Sequence, residues 1–372
     1  MKKLLNGFLL IFFFIAPLPH AFAESGVVQI TSTIHQNFTG EFRNDVLAGE
    51  LLPNGKLGRL IFVPSNKSRT WVIDAALIDE VIAMTSAYKL ASGGTPAGSQ
   101  TAIDWLVQLR KVTLSNDVVA LAYGNPDTVL AKRLAPSELR MYYAFGKTQL
   151  QSALGREVKS DTKGTPSLGK SRLSPTLQKN YSENRRAITY LSHSAPIPEI
   201  YKLRARLSQL LSARLNKEER EYFSTNARIS IDEQLHRLRI NASRYQITTE
   251  RSDLPLTVIN EFPIAMIVDV DLVAQNSRIS VQSFKKVSLP ANSKTQLSLK
   301  VEVRAPGQTL VFASIKDDRG ITLVPAVPLQ LNATVIDPKL TWFTTGAAII
   351  LLLAAIAQSV RRARRGRKNE IK

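Results

Sequence analysis

The chain has 372 residues and not one cysteine. No disulfide can staple it, no thiolate can hold a metal, and no cysteine nucleophile exists, so its domains hold by core burial alone. Histidine is nearly as scarce: His20, His35, His193 and His236 are the whole complement. None of them forms an H-x-x-x-H or H-E-x-x-H spacing, which removes the usual zinc-hydrolase signature. No G-x-S-x-G elbow and no glycine-rich phosphate loop is present, and Gly93-Gly94 marks a loop only. These gaps predict no cofactor and no metal.

Acidic residues are also in short supply, 30 against 49 basic ones, for a formal net charge of +19. The excess is uneven. Residues 24–130 sum to −2, residues 131–250 to +11, and residues 251–340 to +2. A basic middle third can meet an anionic polymer or a headgroup layer, or it can be an arginine-rich solvated helical surface.

Long apolar runs occur only near the two ends. Lys2 and Lys3, the run 4–15 and the small-residue site Ala21-Phe22-Ala23 predict a secretory signal peptide over 1–23. Residues 341–360 carry no charge and match the ~20 residues that span a ~30 Å hydrocarbon layer. Trp342 and Phe343 would sit at the outer interface, and Arg361, Arg362, Arg364 and Arg365 open a basic cytoplasmic tail over 361–372. On this reading the protein is a single-pass cell-membrane protein with its bulk outside, which argues against nucleic acid as a partner.

Between the ends the hydrophobic period changes twice. Residues 24–155 alternate apolar strands with helical patterns: 70–74 (TWVID), then a helix over 75–88, a second over 101–112, a strand over 117–123 (DVVALAY), and a helix over 127–134 with Asn125 as cap and Pro126 at its first position. Short connections between such elements predict parallel pairing in an α/β layer. Residues 156–185, rich in Lys, Ser, Gly and Thr, predict a flexible insert. Residues 187–191 (AITYL) predict a third strand, and the amphipathic stretches 200–213 and 229–241 predict helices, so that 186–243 would complete the α/β domain. From residue 244 to 336 the period becomes two, with about seven short strands separated by turn signals such as Asn260-Glu261-Phe262-Pro263. That spacing predicts an immunoglobulin-like sandwich, without its Cys…Trp…Cys framework.

The order of VIDAALIDE, DWLVQLRK, VVALAYGNPD, LPLTVINEFPIAMIVDVDL, LPANSKTQLSLKVEV and the arginine-rich end resembles a family of uncharacterised actinobacterial envelope proteins under a domain-of-unknown-function label. The resemblance covers most of 45–368. It implies a degenerate polysaccharide-deacetylase or glycosidase-type (β/α) barrel followed by a β-sandwich, and it implies no known activity. A complete barrel of ~250 residues cannot fit before residue 195, so the α/β part is a partial layer.

Sites in parallel sheets lie at the carboxyl ends of strands. Asp74, Tyr123, Asn125, Asp127 and His193 stand there in this reading. Asp74 and Asp127 could serve as the two carboxylates of a glycosidase, with Tyr123, Asn125 and His193 lining a ligand site. Each has a plainer role too: Asp74 can cap the helix over 75–88, Asp127 can be a first-turn acid that complements the helix dipole, Tyr123 can pack, and His193 can be a surface or hydrogen-bonded histidine. The expectation is a non-catalytic envelope protein that binds an anionic wall polymer, a saccharide or a membrane partner. The alternatives are a carbohydrate-active enzyme using Asp74 and Asp127, and a structural subunit of a wall-synthesis membrane complex.

Overall fold

A computed structural model describes residues 26–63, 68–161, 170–241, 243–334 and 338–368, with the side chains of the last helix described over 345–361. The chain divides into two compact units. The first comprises Met1–His35, Phe42–Asn125 and Arg140–Pro166, and the second comprises Gln36–Glu41, Pro126–Leu139 and Ser167–Lys372. The expected signal peptide lies outside the described residues.

The first unit is built on one parallel sheet. Strands β1 (Gly26–Ile30), β2 (Arg69–Ile73), β3 (Asp117–Ala120) and β4 (Lys159–Ser160) pair in sequence order, each parallel to the next. Parallel neighbours need a crossover after every strand. Helices α1 (Val46–Leu51) and α2 (Gly58–Phe62) follow β1, and α3 (Ala75–Met84) and α4 (Ser99–Thr113) follow β2. Between β3 and β4 come α5 (Thr128–Leu134) and α6 (Pro136–Leu154), of which α5 and the first residues of α6 belong to the second unit. The strand order never reverses, so this sheet has no switch-point crevice of the doubly wound kind. Ile30, Trp71, Ile73, Val118 and Ala120 from the strands are buried with Ile78, Val81, Trp105 and Leu109 from α3 and α4. Gly146 of α6 rests against the exit of β3, where a Cβ would meet the Leu121 carbonyl at 2.5 Å, so only glycine fits.

Three helices follow in the second unit: α7 (Pro175–Ser194), α8 (Pro198–Arg206), which runs on into a 3₁₀ turn Leu207–Leu211, and α9 (Lys217–His236). The expected strand at 187–191 is the last part of α7. Leu177, Tyr181, Asn184, Ile188 and Leu191 recur three and four apart and are buried, and Ser174 caps the helix with Pro175 at its first position. Of the expected insert at 156–185, residues 159–160 form β4 and α7 begins at Pro175, while residues 162–169 lie outside the described residues. These helices fall in the same unit as the β-sandwich and do not complete the α/β layer.

The sandwich packs a five-stranded sheet on a four-stranded one. Its strands are β5 (Leu238–Ile240), β6 (Arg244–Ile247), β7 (Arg251–Asn260), β8 (Met266–Ala274), β9 (Ile279–Val281), β10 (Phe284–Leu289), β11 (Ser293–Val303), β12 (Gly307–Lys316) and β13 (Thr322–Ala333). One sheet runs β10-β8-β12-β13-β6 and the other β5-β7-β11-β9. All pairs are antiparallel except β13 with β6. Inward positions alternate along each strand, as in Val311, Ala313 and Ile315 of β12 and Met266, Val268, Val270 and Leu272 of β8. These aliphatic rows form the core between the two sheets, with no cysteine in it.

Helix α10 (Pro338–Lys368) ends the described chain. Ile349, Ile350, Leu351, Leu352, Leu353 and Ile356 are all exposed on it. The expectation of a transmembrane span over 341–360 is corrected: among the described residues no helix is long and apolar enough to cross a membrane. The uninterrupted apolar run is 347–357, bounded by Thr345 and Gly346 before it and Gln358 and Ser359 after it. That is well short of the ~20 residues a span needs. The single-pass placement in the cell membrane falls with it. Trp342, Phe343, Arg362, Arg364 and Arg365 lie outside the residues whose side chains are described, and Arg361 is exposed.

Candidate functional site

The residues expected at strand ends divide between the units. Asp74, Tyr123 and Asn125 belong to the first, Asp127 and His193 to the second. Asp74 follows β2 and caps α3. Its Oδ1 accepts from the N–H of Ala76 at 3.0 Å and from that of Gly124 at 2.9 Å, and its own N–H donates to the Ile30 carbonyl at 3.0 Å. One buried residue thus ties the exits of β1, β2 and β3 together, its backbone N–H reaching β1 and its carboxylate reaching the turn after β3. Tyr123 is buried, packs edge-on against Phe145 with ring centroids 5.0 Å apart, and donates its hydroxyl to Asp79 at 2.8 Å. Its ring face offers no platform to a sugar. Gly124 and Asn125 both take positive φ, 75° and 42°, which turns the chain sharply out of the sheet.

Asp127, not Asn125, caps α5. Its Oδ1 accepts from Val129 and Leu130 at 3.0 and 3.2 Å, and its Oδ2 accepts from the N–H of Ser171 at 2.7 Å. Three backbone donors are satisfied by this one side chain, which is the work of a structural cap. His193 is exposed near the end of α7, where its Nδ1 lies 2.7 Å from the Thr189 carbonyl one turn back. No strand precedes it.

A polar cluster that sequence reasoning passed over lies just beyond β1. Ser32 Oγ is 3.0 Å from His35 Nε2 and donates to Glu50 Oε2 at 2.9 Å, while the His35 N–H donates to Glu80 Oε2 at 3.1 Å. Serine, histidine and glutamate together invite comparison with a nucleophilic triad, but the roles do not match. A hydroxyl has one hydrogen, and Ser32 gives it to Glu50, so at His35 it accepts and the proton sits on Nε2. A general base would need Nε2 unprotonated, with the acid on the opposite ring nitrogen. Glu50 is instead 3.9 Å from the same Nε2, and His35 is only 4 % exposed. The cluster locks the turn after β1. Its signal in the sequence was faint, a T-S-T-x-H run on a strand end with its acids 18 and 45 residues away from their partners.

The charged feature with open access is in the second unit. A groove of about 520 Å³ lies between the segment before α7 and the start of α9. Leu173, Leu177 and Leu215 form its buried floor, and Lys170, Arg172 and Lys217 stand exposed around it with Glu221. Arg220 is buried beneath. Its guanidinium donates to the carbonyls of Leu210 at 2.6 Å, Ser212 at 3.0 Å and Leu215 at 2.9 Å. Burial lowers its pKa, and the nearby Glu219 carboxylate opposes that shift. Carbonyl dipoles satisfy its donors without cancelling its charge, so it adds to the positive field of the groove. Among the described residues no three His, Asp or Glu side chains converge to hold a metal ion.

No curated protein matches the chain. Several solved structures resemble about a quarter of it. WR4, a C. elegans MSP family member, is 9 % identical with a TM-score of 0.21, over 26 % of this chain and 97 % of that one. The ASH/PapD-like domain 7 of human CEP192 is 14 % identical with a TM-score of 0.22, over 27 % and 86 %. The E. coli chaperone DraB is 16 % identical with a TM-score of 0.20, over 26 % and 55 %. At such scores the likeness carries no weight for fold or function. The model of the family of unknown function DUF6049 matches residues 149–368, more than half of the chain, and the chain belongs to that family.

Proposed function

We propose that this chain is a non-catalytic envelope protein, of the actinobacterial type its sequence resembles, that binds an anionic wall polymer through the basic groove at the start of α9. The observation that carries this reading is the groove itself: Lys170, Arg172 and Lys217 on the rim and Arg220 below, against Glu221 as the acid among its lining residues. An apolar floor with a basic rim suits a chain of phosphate- or carboxylate-bearing units, whose backbone packs while its charges reach the rim. The two acids that could have supported hydrolysis support the reading in the other direction. Asp74 and Asp127 each hold two or more backbone N–H groups and stand in different units.

The test is binding of the full chain to a purified polyphosphodiester wall polymer. Affinity is expected to fall at least about tenfold between 50 and 500 mM salt, because exposed charges are screened within a few ångströms at high ionic strength. The triple variant Lys170→Glu/Arg172→Glu/Lys217→Glu is expected to lose binding, while Asp74→Asn keeps it. Binding indifferent to both salt and charge reversal would overturn the reading.

A further inference from the structure

The outer face of the five-stranded sheet is not uniform. Towards β10 it carries ion pairs, Asp269 with Lys285 at 2.9 Å and Asp271 with Lys316 at 2.7 Å. The outer face of the four-stranded sheet is charged as well, with Arg251 on β7 facing Glu302 on β11. Water-facing sheet surfaces look like this. Across β12, β13 and β6 the charges give way to amides. Gln308, Asn332 and Gln246 are register partners in one row, and Leu310, Gln330 and Arg244 in the next. Gln275 closes the end at β8, where its N–H bonds the Leu310 carbonyl at 2.8 Å. Together they line a groove of about 550 Å³.

Two properties of this groove point to a ligand class. None of its five side-chain amides, nor the Arg244 guanidinium, is bonded to another described residue, and no carboxylate lines it. Each amide offers two donors and an acceptor with two lone pairs, which is what a pair of neighbouring sugar hydroxyls requires. Strands stand ~4.8 Å apart, so successive amides along a row are spaced at about the size of one sugar ring. Arg244 is a lone fork-shaped cation at the edge of this hydroxyl-reading surface, suited to one carboxylate per few sugars. We propose that the amide groove on β12, β13 and β6 is a second binding site, which takes an acidic saccharide, its hydroxyls on Gln308, Asn332, Gln246 and Gln330 and its uronate carboxylate on Arg244. This site is independent of the basic groove and stands whether or not that groove binds polymer.

The experiment uses the full chain carrying Lys170→Glu/Arg172→Glu/Lys217→Glu, so that the basic groove contributes nothing. The probes are a galacturonate oligosaccharide and its carboxyl-reduced neutral counterpart, measured by calorimetry. Both probes are expected to bind, the acidic one more tightly. Gln308→Ala/Asn332→Ala is expected to weaken both by at least tenfold with an unchanged melting temperature, since both side chains project from the outer face. Arg244→Gln is expected to weaken only the acidic probe, to the level of the neutral one. If the double variant unfolds, Gln246→Ala/Gln330→Ala on the same face gives the same reading. Failure of both probes to bind, or binding untouched by the amide variants, overturns the proposal, and loss of polymer binding in the basic-groove variant alone leaves it intact.

Discussion

Single side chains close several of the turns in this molecule. Asn260, fully buried at the end of β7, donates to the carbonyls of Ile264, Leu289 and Pro290 at 2.9, 3.3 and 2.9 Å and accepts from the N–H of Phe262 at 3.0 Å. Removing it takes this partner from the Ile264 and Leu289 carbonyls and from the Phe262 N–H, while the Pro290 carbonyl keeps the Ser293 hydroxyl at 2.7 Å. Asn260→Ala is expected to cost about 3 kcal/mol, measured by urea unfolding, because each buried polar group left unsatisfied costs roughly 1–3 kcal/mol. Tyr88 plays a similar part in the first unit. It donates to Asp45 and accepts from the N–H of Gly98 at 2.9 Å, while Asp45 also takes the N–H of Ala97 at 3.0 Å, so the loop before α4 is pinned from both sides. Burial first, then the Asp45 carboxylate, pushes the Tyr88 phenol up to about 12. A phenol raised above its unfolded value of about 10 contributes stability that is complete below pH ~10 and is lost as pH climbs towards 12. Unfolding followed from pH 8 to 12 is therefore expected to show a fall beginning near pH 10. Tyr88→Phe is expected to flatten that fall, at a cost of about 1–2 kcal/mol at neutral pH.

Elements show where sequence reasoning succeeded and where it could not. The helix after Asp74 and the strands of the sandwich were legible, because a capping acid before a period of 3.6, or strict alternation between turn residues, states its structure locally. Residues 187–191 misled because AITYL reads as a strand in a short window, and only the eleven or so residues before it reveal the helical face of α7. The cap of α5 is Asp127 rather than Asn125 because the helix begins at Thr128 and the Asp127 Oδ1 takes the N–H groups of Val129 and Leu130; what no local pattern contains is the reach of the other carboxylate oxygen to the N–H of Ser171, 44 residues on. The ion pair between α6 and α8 is non-local in the same way. Glu138 is buried, and Arg204 reaches it through Nε at 2.7 Å and Nη2 at 2.8 Å while also donating to Ser192 Oγ at 3.0 Å. Glu138→Ala leaves a guanidinium without its acid in a dry site and is expected to cost about 3–5 kcal/mol. The double variant Glu138→Leu/Arg204→Leu is expected to recover most of that loss. A double variant as unstable as the single one would mean that the pair orders the helices in a way apolar packing cannot replace.

At the scale of the whole chain, folding decides which of the many cations are free to meet a partner. The excess over 131–250 was visible as a sum, but its use was not, because Arg204, Arg206 and Arg220 are spent internally on Glu138, on the carbonyls of Gln36 and Asn37, and on the carbonyls around the 3₁₀ turn. Only folding shows that Lys170, Arg172 and Lys217 are left to face solvent together. The uncharged run at 341–360 failed for a related reason, since absence of charge over a window is not continuity of apolar residues within it. The β-sandwich, by contrast, carries a complete account of itself: two sheets, an aliphatic core and no disulfide to form. Residues 238–334 alone are therefore expected to fold, with one cooperative thermal transition of about 70 kcal/mol at ~0.7 kcal/mol per residue, unmoved by reductant. The contact most at risk in that fragment is Arg237, which lies 4.5 Å over the Phe262 ring and donates to the Glu261 carbonyl at 2.8 Å just where β7 ends. A fragment from 238 that melts without cooperativity, beside one from 217 that melts sharply, would place α9 inside the sandwich's folding unit. Failure of both would show that the aliphatic core needs the remaining helices to stay dry.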